Sequence, residues 1–341
     1  MLSPWQPTTL STKTTLRRRD HLRFTRAARA MSPMRLAGHT GPVAAGPTCD
    51  VITVTFNART FLRHFLATIT EVAGVTTIRI VDNASTDGTT SMVFGYARAS
   101  PRVKALYSEV NLGFGRACNV AAHSSSADFL AFINPDVFIS NPRLLTECVD
   151  TLSAYRSIGI VGCSLLRPDG SPDHAARRGE PTLWNSACYF LGLASRYPDV
   201  RLFSGYLRTE TPDSHLSYVD AVNGAFLVCR RTDFIDLGGF DEDFWLYGED
   251  LDLCRRFRES GRRVAFRSDL SAIHLKGAAN GGQRPPAAQR AFFDSMSIYY
   301  SKHHPRARVR SWLLRQLIQA RIRPLSSLSA SPSTSTSTTF P

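Results

Sequence analysis

The sequence predicts an α/β fold with a doubly wound, mostly parallel central sheet, and three observations carry that reading. Strand-like runs alternate with helix-like segments four times between residues 51 and 133. Polar, turn-forming clusters at 55–57, 82–88 and 134–136 end three of those runs, where open α/β sheets gather their ligands. The chain has 341 residues and is 43% hydrophobic, enough for one large domain or two small ones around a sizeable core.

The elements follow in order. Val51–Phe56 is a β-branched run and reads as the first strand. Phe61, Leu62, Phe65, Leu66 and Ile69 then recur at helical spacing. Ile78–Val81 is a second strand, ending in Asp82-Asn-Ala-Ser-Thr-Asp-Gly88 before another helix. A third strand lies near Val103–Tyr107, followed by the glycine loop Asn111-Leu-Gly-Phe-Gly115 and a helix to about Ala122. Phe129–Ile133 is a continuous apolar run of the buried-strand type, ending in Asn134-Pro-Asp136. The second half is less regular. Residues 166–217 are rich in Pro, Arg, Gly and Ser and read as long surface loops. Val219–Cys229 reads as one strand containing Gly224, and Glu249–Gly261 as a helix with Leu253 and Phe257 on one face.

Charge divides the chain further. The net charge is +13, but residues 1–49 hold +7 and residues 302–341 another +7, which leaves 50–301 at −1. A near-neutral body with two basic ends disfavours a protein wrapped around nucleic acid. Residues 1–49 read as a disordered basic arm, a transit-like segment or the product of a start codon placed too early, with Met31 and Met34 as alternative starts. They lack the apolar core of a secretory signal, and no apolar run approaches the roughly 18 residues needed to cross a bilayer. Residues 302–324 read as a basic amphipathic helix and 325–341 as a Ser/Thr-rich disordered tail. The seven cysteines are odd in number and contain no C-x-x-C pair, which argues against a disulfide framework or a structural zinc site and fits a reducing compartment.

Several polar residues stand where chemistry is done. Asp136 follows a buried-type strand, and a carboxylate there either caps a turn or ligates a hard divalent cation that also holds phosphate. Asp82 is the first polar residue after its strand, the place of an acid that hydrogen-bonds a nucleobase or ribose, and Thr55 and Asn57 end the neighbouring strand. The glycine loop is neither G-x-G-x-x-G nor a P-loop, yet its backbone N–H groups suit a phosphate, with Arg116 adding charge. Glu249 and Asp250 begin a helix within a stretch crowded with acids and with Phe244, Trp245 and Tyr247. They are either partners of the helix dipole or carboxyls tuned toward general-base chemistry. His274 is either structural or a late metal ligand.

Taken in order, VTFNA (54–58), VDNASTDGT (81–89), NLGFGRACN (111–119), INPDV (133–137), VNGAFLVCRR (222–231) and GGFDEDFWLYGEDLDLCRR (238–256) resemble the family 2 glycosyltransferases, and most closely their rhamnosyltransferase-like branch. The resemblance spans about residues 50–300 and implies one domain, 50–301, of the GT-A type, with helices on both faces of the sheet. It implies a nucleotide-diphosphate sugar donor, Mg²⁺ or Mn²⁺, and inversion at the anomeric carbon. By position, Thr55, Asn57, Asp82, Asn83, Arg116 and Asn134 would bind the nucleotide sugar, and Asp136 and His274 the metal. Asp250 would be the general base with Glu249 beside it, and Gly224 and Trp245 would lie near the acceptor. Asn-Pro-Asp replaces the Asp-x-Asp of the family's metal motif, so one carboxylate is missing. The Gln-x-x-Arg-Trp block of processive members is also absent, which favours transfer of one sugar per acceptor.

The resemblance implies transfer of rhamnose or a related deoxy-sugar, with dTDP-rhamnose the favoured donor, to a lipid-linked or cell-envelope glycan. The basic C-terminal helix would then rest on an anionic membrane at the cytoplasmic face, or else pack on the body. A non-catalytic sugar-nucleotide or glycan-binding protein of the same fold is the alternative. A nucleotidyltransferase would need a Gly-rich, Lys/Arg-bearing loop after the first strand, and Thr55-Phe-Asn-Ala58 is not one.

Overall fold

The computed structural model describes residues 46–182, 214–275 and 286–304, with isolated positions between 183 and 213. The expected basic arm up to residue 45, the C-terminal helix beyond residue 304 and the Ser/Thr tail lie outside the described residues.

The first half winds as its periodicity demands. It runs β1 (Cys49–Thr55), α1 (Arg59–Ile69), β2 (Val75–Asn83), α2 (Thr89–Ala99), β3 (Val103–Ser108), α3 (Phe114–His123) and β4 (Phe129–Ile133). All five residues of β4 are buried, as in a central parallel strand. On α1 the buried residues are Leu62, Phe65, Leu66 and Ile69, one face of a helix. There follow β5 (Val137–Phe138), α4 (Leu144–Ala154), β6 (Ile158–Leu166) and β7 (Arg177–Arg178). The last part comprises β8 (Leu216–Val219), β9 (Ala221–Val222), β10 (Phe226–Arg230), α5 (Arg231–Asp236), α6 (Glu249–Glu259), β11 (Arg263–His274) and α7 (Pro286–His303).

The main sheet has the order β3-β2-β1-β4-β10-β6-β11-β5, with β8 added against β11. Strands β3, β2, β1 and β4 run parallel to one another, and β6 runs parallel to β11. Strand β10 enters antiparallel to both β4 and β6, so the sheet is mixed, in keeping with the mostly parallel sheet expected. A small second sheet pairs β7 with β9.

Two expectations need correction. The run 219–229 is not one strand. It breaks at Asn223–Gly224–Ala225, where the Asn223 side chain accepts the Ala225 N–H and donates to the Ala175 carbonyl. The domain boundary expected at residue 301 falls inside α7, which continues to His303 and buries Phe293, Ser295, Tyr299 and Tyr300. Under the sheet, Phe132, Phe234 and Phe240 form a tight aromatic triad with ring centroids 4.9–5.4 Å apart. All seven cysteines are buried and unpaired, and burial pushes the thiols of Cys148 and Cys254 up to about 12.

Candidate active site

The carboxyl ends of β1 and β2 lie side by side, with Thr55 in register with Asp82. Thr55 is fully buried, and its hydroxyl has no hydrogen-bond partner among the described residues. Asp82 accepts hydrogen bonds from the Thr90 hydroxyl and the Ser85 N–H. Asn57 ties the two loops together: its N–H donates to the Ser85 hydroxyl and its amide oxygen accepts the Thr86 N–H at 2.7 Å. Asp87 receives the N–H groups of Arg59 and Thr89, which anchors the same loop to the start of α1. Asn83 faces inward. Its amide donates to Asn111 Oδ1 and the Gly113 carbonyl and accepts the Leu112 N–H, so all of it is committed to holding the glycine loop.

Three N–H groups of that loop, which its sequence suggested for a phosphate, are engaged within the protein. The N–H of Leu112 goes to Asn83, that of Gly113 to Asn111 Oδ1, and that of Phe114 to the Trp245 carbonyl at 2.9 Å. The glycine serves a close approach. Gly113 has φ +83°, and a Cβ there would stand 2.2 Å from the Trp245 carbonyl oxygen. Arg116, expected to add charge for a phosphate, is half-exposed and lies 3.4 Å from Glu242. The loop thus supports the acid- and aromatic-rich segment 240–248 from below, with Asn119 bonded to both the N–H and the carbonyl of Phe240.

Above this support α6 begins with Glu249 and Asp250, both buried. Gly248, with φ +83°, turns the chain into the helix. Asp250 Oδ2 accepts the Gly224 N–H at 2.8 Å and the Arg178 guanidinium at 2.5 Å. A Cβ on Gly224 would lie 3.1 Å from that of Asp250, so the 223–225 turn closes directly over the carboxylate. Glu249 is different. Its Oε2 is buried with no partner among the described residues, and burial, with Asp250 alongside, pushes its carboxyl up to about 8.

Asp136 and His274 converge from opposite directions. His274 ends β11, Asp136 precedes β5, and the two strands pair antiparallel through His274 and Val137. Asp136 Oδ2 lies 3.5 Å from His274 Nε2, and Asp173 Oδ2 lies 3.6 Å from Nδ1. Burial of His274 works against its charge, but the two carboxylates outweigh it and raise the imidazole to about 9. Asn134 sits half-buried at the end of β4, its N–H on the Ala225 carbonyl.

Trp245 stands 41% exposed at the rim. Between it and α7 runs an open groove of about 540 Å³, lined by Asp243, Trp245, Arg290, Asp294 and Ile298 among others. Helix α7 is tied down at its end. Lys302 pairs with Asp241 and Asp252, and His303 with Asp252 at 2.7 Å, while Ser295 donates to the Leu246 carbonyl. Among the described residues, the only non-glycine positions with positive φ are Asn57, Ala84 and Tyr247, and all three lie in these loops. Arg178, Asp173 and α7 were not singled out from the sequence. The doublet Arg177-Arg178 and the clustered aromatics at 292–300 were visible, but nothing local tied them to the acids they meet.

Comparison with known proteins bears on the family and the fold. The model for glycosyl transferase family 2 matches residues 50–209, and that described as the N-terminal domain of galactosyltransferase matches residues 207–275. An N-acetylglucosaminyl-diphospho-decaprenol L-rhamnosyltransferase of Mycobacterium tuberculosis is 29% identical over 280 residues, covering 78% of this chain and 88% of its own length. The rhamnosyltransferase WbbL of Escherichia coli K12 is 26% identical over 48% of this chain and 60% of its own. A mannosyltransferase of Pyrobaculum calidifontis, solved with GDP-Man and Mn²⁺, superposes with a TM-score of 0.51 at 18% identity over 91% of this chain and 95% of its own. GalNAc-T7, solved with UDP, GalNAc and Mn²⁺, gives 0.50 at 15% identity over 67% of this chain and 44% of its own. The last two likenesses concern the fold.

Proposed function

The chain belongs to glycosyl transferase family 2, has the GT-A fold and is of the rhamnosyltransferase-like kind, and on that premise we propose that it transfers a single rhamnose or related deoxy-sugar from a nucleotide-diphosphate donor to a hydroxyl of a lipid-linked or cell-envelope glycan, with inversion. The observation that carries the catalytic part is the buried pair at the start of α6. One carboxylate is clamped by Arg178 and the Gly224 N–H, and the Oε2 of its neighbour Glu249 is buried with no partner among the described residues.

Asp250 is the general base. It takes the proton from the acceptor hydroxyl as that oxygen attacks the anomeric carbon, and the bond from that carbon to the diphosphate oxygen breaks on the opposite face. One displacement needs one base and no enzyme nucleophile, and holding both substrates in place supplies much of the acceleration. Thr55, Asn57 and Asp82 line the nucleotide end. Asn83 acts through the loop it holds. The groove between Trp245 and α7 takes the acceptor, with Trp245 in its lining as the aromatic group for a sugar ring.

A divalent ion fits Asp136 and His274, an oxygen and an imidazole ligand whose heteroatoms already face each other. Among the described residues no group of three or more such side chains is gathered, so the donor's diphosphate would complete the shell. When bound, Mg²⁺ or Mn²⁺ supplies neutralisation of charge on the departing diphosphate. Among the described residues no helix is long and apolar enough to cross a membrane. We assign attachment at the cytoplasmic face to the basic residues beyond 304, acting on anionic lipid.

The test is a panel of dTDP-, UDP- and GDP-sugars with Mn²⁺, read by thermal shift and by transfer to a polyprenyl-diphosphate-linked N-acetylglucosamine. Stabilisation by dTDP-rhamnose with formation of a disaccharide product is expected. Donor binding with no transfer to any acceptor would favour the binding-protein alternative.

A further inference from the structure

Arg178 belongs to none of the motifs that carry the family resemblance, yet it makes the closest contact to the proposed base. It stands on β7, paired through Arg178↔Ala221 with β9. Its Nη2 donates to the Val222 carbonyl at 3.0 Å and to Asp250 Oδ2 at 2.5 Å. Both side chains are about nine-tenths buried. The same Oδ2 accepts the Gly224 N–H, and Oδ1 accepts the Leu251 N–H at 2.7 Å. Donors from β7, from the 223–225 turn and from α6 itself therefore converge on one carboxylate.

The neighbouring acid is held by none of these donors directly. Glu249 is equally buried, its Oε2 has no partner among the described residues, and no cation is paired with it there. Two carboxyls adjacent in the chain share one low-dielectric site with one guanidinium. Both cannot ionise cheaply, and a guanidinium does not give up its proton. Burying Arg178 is itself costly. Its Nε is buried with no hydrogen bond among the described residues, a penalty that a merely structural cation would avoid.

We propose that Arg178 is the positioning residue of the transfer reaction: it places the site's single negative charge on Asp250 rather than on Glu249, and it fixes the orientation of that carboxylate. This rests on the reading of Asp250 as general base. The geometry explains why arginine is needed. One nitrogen, Nη2, binds Val222 and Asp250 together, and the guanidinium keeps its charge when buried, whereas a lysine ammonium in the same place would give up its proton more readily. The titratable groups around the pair are Glu249 and Cys254 on α6 and Tyr206 on the Arg178 side.

The test compares wild type, Arg178→Lys, Arg178→Ala and Asp250→Asn for kcat, donor KM, the pH profile of kcat/KM and thermal stability, with and without added guanidinium. Arg178→Ala should lose about 100-fold in kcat, the low end of what a general base contributes, with donor KM within about threefold of wild type. Its acidic limb should move to higher pH by about one unit, because the proton is then shared between two unpaired carboxyls. Guanidinium should restore activity to Arg178→Ala but not to Asp250→Asn, and Arg178→Lys should recover only part. If Arg178→Ala does not fold, Arg178→Lys carries the pH profile. A loss of activity that only tracks loss of stability, with an unmoved pH profile and no rescue, would overturn the proposal. Wild-type turnover by Asp250→Asn would instead overturn the reading of Asp250 on which it rests.

Discussion

Replacing Glu249 by Gln should change how folding stability depends on pH, in a direction fixed by where that side chain lies. Burial raises the Glu249 carboxyl from its ordinary 4.5 to about 8, and the adjacent Asp250 adds to the effect. The folded protein therefore holds a proton through a pH range in which the unfolded chain has released it. The stability this group contributes is fully present below about pH 4.5 and is lost as pH rises through about 8. At about 1.4 kcal/mol per pH unit, the interval sets a ceiling of about 5 kcal/mol. Relaxation of the site and entry of water on ionisation bring the realised figure to about 2–3 kcal/mol. Gln has the same shape and stays neutral at every pH. Wild type and Glu249→Gln should therefore be nearly equal in urea unfolding at pH 4.5, and the variant should be the more stable by about 2–3 kcal/mol at pH 9. Parallel stability curves, or a variant that loses ground as pH rises, would refute the argument.

Three further outcomes follow from the same geometry. Gly113→Ala forces a Cβ against the Trp245 carbonyl at a positive φ, so it should cost about 2–4 kcal/mol in urea unfolding and raise the acceptor KM while calorimetric donor binding persists. Asp252→Asn removes the buried anion shared by Arg256, Lys302 and His303, and should destabilise the protein by about 3–5 kcal/mol in thermal melts at pH 7. Although burial opposes it, hydrogen bonds from His303 and Lys302 hold the Asp252 carboxyl down at about 2, so its contribution is present above pH 3.8 and is lost as pH falls through about 2. Deleting residues 305–341 should abolish sedimentation with phosphatidylserine vesicles at low salt, and unchanged sedimentation would remove the membrane role assigned to that segment.

The parts of the fold legible in the sequence are those set by neighbours in the chain. The winding from β1 to β4, the buried face of α1 and the start of α6 at Glu249 all follow from local periodicity. What the sequence concealed depends on partners far away. Strand β10 sits antiparallel between β4 and β6 because Phe226–Arg230 pairs with Phe129–Ile133, a choice that strand propensity does not encode. Gly113 looked like a phosphate-loop glycine, and its reason is the carbonyl of Trp245, more than a hundred residues on. Helix α7 spreads its buried side chains around more than one face and anchors on Glu180, Leu246 and Asp252, so no clean amphipathic stripe announced it. Within the candidate site, Asp250 was visible from its motif. Arg178, which binds it, lies 72 residues earlier in a two-residue strand with no signature of its own.

The central claim is that this chain catalyses glycosyl transfer with Asp250 as base, and it is tested most directly by comparing wild type with Asp250→Asn. Single-turnover transfer from dTDP-rhamnose to a polyprenyl-diphosphate-linked N-acetylglucosamine is measured, alongside calorimetric donor binding by both proteins. The predicted result is transfer by the wild type and a loss of at least about 100-fold in Asp250→Asn with donor affinity retained. Equal transfer rates in the two proteins would contradict it.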